Sequence, residues 1–146
     1  MKARMALLSC AAPVRASALA GWAATGLSLL LGAALAPAGM SAWQVLTLLL
    51  IAPVAEELLF RSGLQEALLR RWRSGLAANV ATAAAFALAH ALARDDALAL
   101  AVAVPGLLLG AVYGRTRQVG ACIALHAAMN AIWLAAGGAA AWSFAG

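Results

Sequence analysis

The stretch "APVAEELLFRSG" (residues 52–63) sets Glu56, Glu57 and Arg61 inside an otherwise apolar helical pattern. No charged residue occurs between positions 16 and 55, so these three side chains interrupt a long greasy approach. An ionisable group in a bilayer costs about 2.5 kcal/mol or more, so such a group faces a protein interior or a wet cavity and marks function. Glu57 and Arg61 are spaced i,i+4 and can neutralise each other on one helix face. Glu56 lies one residue earlier, about 100° around the helix, and needs a different partner. Pro53, a turn upstream, lacks an N–H and in an α-helical register frees the Leu49 carbonyl, which is tolerable only beside a protected or hydrated pocket.

Composition explains why the approach is greasy. Of 146 residues, 66% are hydrophobic and 10% charged, with mean hydropathy +0.93. Soluble domains carry about 25% charged residues, so the chain reads as an integral membrane protein. Uncharged runs at 16–55, 74–93, 97–114 and 118–146, the first broken at Pro37 and Gly39, have lengths of membrane spans. The expectation is an all-α, polytopic membrane helix bundle of about five transmembrane helices near 17–36, 42–69, 76–93, 97–113 and 119–138. Together they form a single transmembrane domain, 1–146, with residues 1–16 a cytoplasmic tail. That tail begins "MKARMALLSC" like a signal sequence, but its apolar stretch is short and broken by Pro13 and Arg15. Abundant Ala and Gly let the helices approach closely.

Charge gives orientation and excludes one class of partner. With a cytoplasmic N-terminus, Lys2, Arg4, Arg15, Arg70, Arg71, Arg73, Arg115 and Arg117 all fall inside, and only Arg94, beside Asp95 and Asp96, falls outside. The net charge of +5 therefore reflects short cationic loops rather than a basic face, and no nucleic-acid partner is expected. Cys10 and Cys122 form no CxxC pair and read as two structural thiols. The five tryptophans fall near span ends, as in an aromatic belt. Glu66 reads as part of a polar face near the cytoplasmic edge, paired with Arg70 at i,i+4.

The two histidines of the chain, His90 and His126, both lie in predicted spans. Counted from the cytoplasmic loops at 1.5 Å per residue, Glu56 and His90 lie at a depth of about 20 Å, His126 at about 12 Å and Asn130 at about 18 Å. Phe86 shares a face with His90, and His126 with Asn130, each at i,i+4. Packing of the second, third and fifth spans would set all of them around one cavity. A carboxylate beside an imidazole can hold and deprotonate water, while a second imidazole and a carboxamide can donate to the oxyanion of a tetrahedral intermediate. That set suits amide hydrolysis. The GxSxG elbow is absent, which argues against a serine acyl-enzyme.

"EELLFR", "FALAH" and "HAAMN", in this order, resemble the EExxxR, FxxxH and HxxxN motifs of the CPBP family, the CaaX protease and bacteriocin-processing intramembrane proteases. The passage "GLLLGAVYGRTRQVGACIALHAAMNAIW" is similar to the same family, and the resemblance covers about 43–133. It implies a glutamic-type intramembrane endopeptidase without a cofactor. Glu56 would be the general base, His90 would orient the water, and His126 and Asn130 would form the oxyanion pocket. Glu57 and Arg61 would support the site and Phe86 would pack beside it. Short bacterial members resemble the myxosortase-like enzymes that process C-terminal sorting signals. The expected partners are therefore the lipid bilayer and a membrane-anchored protein or peptide substrate, in a bacterial inner membrane. Two alternatives stay open. A metal held by Glu56, Glu57, His90 and His126 could activate water directly, although adjacent glutamates face different ways and HExxH is missing. A non-catalytic immunity or binding protein, or a small carrier, could use the same residues as a relay.

Overall fold

The computed structural model describes residues 23–27, 30, 34 and 40–138. Four helices in it are long and apolar enough to cross a membrane: α1 (Ala42–Arg71), α2 (Gly75–Arg94), α3 (Ala97–Thr116) and α4 (Val119–Ala136). They correspond to the last four predicted spans. The first, 17–36, lies largely outside the described residues, of which 23–27, 30 and 34 are helical. No strand occurs among the described residues.

Local chemistry sets the helix ends. Ser41 and Gln44 form a reciprocal capping box, Gln44 N–H donating to Ser41 Oγ at 3.2 Å and Ser41 N–H to Gln44 Oε1 at 2.8 Å. Ser74 accepts from Ala77 N–H at 3.1 Å and starts α2 directly after the short arginine-rich loop. Asp95 and Arg117, in left-handed conformation at φ 50° and 53°, close α2 and α3. Asp96 then caps α3 through Leu98 N–H at 2.8 Å.

Helix α1 is not uniformly α-helical. Thr47–Ile51 and Leu58–Gln65 are π-helical and bracket the six residues Ala52–Glu57 that carry the glutamates. In the first stretch Ala52 N–H donates to Thr47 O, five residues back. The next bond in that register would run from residue 53 to Leu48 O, and Pro53 has no N–H to give. The carbonyl that proline orphans is thus Leu48 rather than the Leu49 of an α-helical register. Asn130 Nδ2 of α4 takes it at 2.8 Å.

Side-chain distribution is inverted relative to a soluble bundle. Leu76, Leu92, Leu98, Val104 and Ile132 are largely exposed, whereas Glu57, Arg61, Gln65, Thr82 and His126 are buried. Large apolar side chains turned outward, with ionisable ones sequestered among the helices, are the arrangement hydrocarbon solvent demands. Helix α4 sits between its neighbours. Ala131 and Leu134 pack on Val45, Leu48 and Leu49 of α1, while Cys122 packs with Leu109 and Tyr113 of α3. Helices α2 and α3 meet through small residues: a Cβ at Gly106 would lie 3.4 Å from Phe86, and one at Gly110 would strike Asn79 Oδ1 at 1.8 Å. Near the arginine-rich end, Glu66 accepts from Arg70 Nε at 3.1 Å, from Tyr113 OH at 3.1 Å and from Arg117 Nη1. The predicted Glu66–Arg70 pair is therefore part of a clamp joining α1 to α3.

Candidate active site

The second π stretch and the α-helical turn before it point the two glutamates in different directions. Glu57 is fully buried, and Glu56 keeps 26% of its side chain exposed to a cavity of about 410 Å³. Glu57 Oε2 accepts from the equally buried Arg61 Nε at 2.9 Å, the pair expected from i,i+4 spacing. Its other oxygen, Oε1, lies 2.9 Å from His126 Nδ1. A carboxylate facing a guanidinium that stays charged only accepts, so Nδ1 is the donor of this bond. His126 Nε2 then faces Glu56 Oε2 at 3.6 Å.

His90 is held in the same sense from another helix. Its Nδ1 lies 3.0 Å from the Phe86 carbonyl one turn earlier, which can only accept, so Nδ1 carries the proton there too. Nε2 of His90 faces Glu56 Oε1 at 4.0 Å. Glu56 is consequently flanked by two imidazole Nε2 atoms, each beyond direct hydrogen-bonding distance. Glu56 Oε2 is buried without a hydrogen-bond partner. Phe86 forms the floor, its ring centroid 4.3 Å from that of His90 and 6.1 Å from that of His126. Phe60 packs edge-on beneath it at 5.1 Å.

Asn130 lines the same cavity but is committed to the Leu48 carbonyl through one N–H. His126 and Asn130 thus both line the cavity, each with one polar group already engaged. The imidazole is wired to the two glutamates and the carboxamide to the α1 backbone. The other Nδ2 proton of Asn130 is left for a ligand.

All seven residues singled out in the sequence, Glu56, Glu57, Arg61, Phe86, His90, His126 and Asn130, gather in this one place. Sequence reasoning missed the wall supplied by α3, where Pro105, Leu108 and Leu109 line the cavity, and missed Trp133, assigned to an interfacial belt but lining it as well. It also missed Gln65, buried and donating to Gly110 O at 2.8 Å while accepting from Arg61 Nη1 at 3.4 Å. The i,i+4 step from Arg61 was the available signal for Gln65; nothing local marks the residues of α3. Cys122 is buried with its Sγ 3.6 Å from Leu109 O, away from the glutamates' cavity. Among the described residues no cluster of three or more His, Cys, Asp or Glu side chains is gathered closely enough to hold a metal ion.

A family model described as type II CAAX prenyl endopeptidase, Rce1-like, matches residues 38–132 of the chain. No curated protein and no solved structure matches it.

Proposed function

This chain belongs to the Rce1-like family of type II CAAX prenyl endopeptidases, a family of peptide hydrolases, and from that premise we propose that it cuts a peptide bond within the membrane by water that Glu56 activates. With four apolar helices of membrane-spanning length among the described residues, it is a multi-pass membrane protein. The observation that carries the mechanism is a carboxylate set between two imidazoles, 3.6 and 4.0 Å away, on the wall of an otherwise largely apolar cavity. A water seated against Glu56 and the two Nε2 atoms is held by acceptors alone and is polarised towards hydroxide. Attack on the peptide carbonyl forms the C–O bond and sends the water's proton to the Glu56 and histidine cluster. If His126 Nε2 takes it, the imidazolium is stabilised by Glu57 through Nδ1–H, and its new Nε2–H can face the oxyanion beside the remaining N–H of Asn130. Cleavage of the C–N bond returns the proton to the leaving amine. His90 orients the water.

The substrate we propose is the C-terminal region of a membrane-associated or sorted protein, presented in a bacterial inner membrane with the enzyme's N-terminus on the cytoplasmic side. The apolar walls suit a lipid-embedded or strongly hydrophobic segment. The test is co-expression of wild type or Glu56→Gln with a panel of membrane-anchored and C-terminally tagged proteins, followed by mass spectrometry of protein termini. New termini that require Glu56 support the reading; their absence across the panel moves the function to a binder or carrier built on the same residues.

A further inference from the structure

The polar chain through the bundle does not end at Arg61. Arg61 Nη1 reaches Gln65 Oε1 at 3.4 Å, and Gln65 Nε2 donates to the Gly110 carbonyl of α3 at 2.8 Å. Gln65 is buried to 1% exposure, so it has no solvent alternative for either group. At Gly110 a Cβ would lie 1.8 Å from Asn79 Oδ1 and 3.1 Å from Gln65 Oε1, so a side chain there would displace Asn79 and crowd the Gln65 amide. A continuous sequence of polar contacts thus runs from the α3 backbone through Gln65, Arg61 and Glu57 to Nδ1 of His126.

We propose that Gln65, seated on Gly110, is a positioning residue that fixes Arg61 and Glu57 and thereby holds the proton of His126 on Nδ1, with Nε2 turned to Glu56. Arg61 packs over the Phe86 ring at 5.8 Å and has a buried Nη2 without a partner, so its directional hydrogen bonds are those of Nε and Nη1. Without the Gln65 acceptor Glu57 supplies the one directional contact left to the guanidinium, whose packing on Phe86 does not fix its rotation, and the two side chains can swing together. Glu57 then no longer presents Oε1 squarely to His126, and the imidazole is free to exchange tautomers or turn. Gln65 touches no reacting atom; its effect passes through two other side chains. The consequence for turnover rests on the catalytic reading above, whereas the consequence for the imidazole does not.

The experiment is nitrogen NMR of histidine-labelled protein in lipid nanodiscs, for wild type and Gln65→Met, a volume-conserving change. With two histidines in the chain, a His90→Gln background assigns the remaining signals to His126. Wild type should carry its proton on Nδ1, and Gln65→Met should shift the population towards Nε2–H. On a cleavable substrate, with His90 intact, the same variant should lower kcat by roughly tenfold with KM unchanged, the scale of loss typical for a residue that orients a site ligand. An Nε2–H tautomer in wild type, or an unchanged spectrum in Gln65→Met, overturns the proposal even if activity falls. Should Gln65→Met fail to fold, Gln65→Asn, which keeps the amide but draws it back from Arg61 by one methylene, is read by the same criteria. If the tautomer shifts but no substrate is cleaved by wild type, the positioning role stands and the peptidase reading fails.

Discussion

Arg61 and Glu57 are both fully buried, and neither can lose its partner cheaply. Removing one member of a buried ion pair leaves an uncompensated charge and costs about 3–5 kcal/mol, while replacing both with apolar groups of similar size is close to neutral. Glu57→Met and Arg61→Met should each lower the unfolding free energy in detergent by about that amount. The double variant should recover most of the stability and none of the activity, because His126 Nδ1 has lost its carboxylate. Equal losses in the double variant would show that the pair matters by packing alone. The i,i+4 spacing made this pair legible in the sequence, and the 100° turn between neighbours made it clear that Glu56 faces elsewhere. What spacing could not reveal is that both glutamates reach opposite ends of one imidazole, since that depends on where α4 packs, a contact across sixty-nine positions.

At the level of the helix, α1 owes its shape to a proline and the asparagine that repairs it. The π register before Ala52 leaves Leu48 O without a backbone donor, and Asn130 supplies one from α4. Asn130→Ala should destabilise the fold by about 1–3 kcal/mol through that buried carbonyl, and should slow cleavage besides. Adding Pro53→Ala restores an N–H at position 53, so the double variant should regain stability without regaining rate. Thermal unfolding and kcat measured on the two variants separate these contributions; strict additivity of the stability losses would contradict the repair. Sequence pointed to an orphaned carbonyl at this turn but named Leu49, because the π stretch that moves the register by one residue carries no signature in residue types. π-Helical turns recur at functional sites, and here two of them frame the turn that carries Glu56.

For the molecule as a whole, orientation follows from loops rather than from the site. Arg70, Arg71 and Arg73 lie at one end of the bundle with Arg115 and Arg117, and Asp95 and Asp96 cap the opposite end. In a Cys10→Ser background, an Asp96→Cys variant should be labelled by an impermeant thiol reagent in intact cells and an Arg73→Cys variant only after permeabilisation. The reverse pattern would invert the proposed topology. Four of the predicted spans were legible because hydrocarbon imposes length and apolarity on each helix separately. The role of α3 was not legible: its cavity-lining residues are ordinary apolar ones, and their place depends on how α2 and α4 pack around Gly110 and Cys122.

The central claim is that Glu56 drives peptide hydrolysis from a site organised by the protein's own side chains. Its most direct test is cleavage of one identified substrate by purified protein in lipid, comparing wild type with a folded Glu56→Gln variant, each with and without a tight chelator. The account predicts a new peptide terminus from wild type that persists in chelator and is lost in Glu56→Gln. Cleavage by Glu56→Gln at the wild-type rate, or loss of wild-type cleavage on chelation, would contradict it.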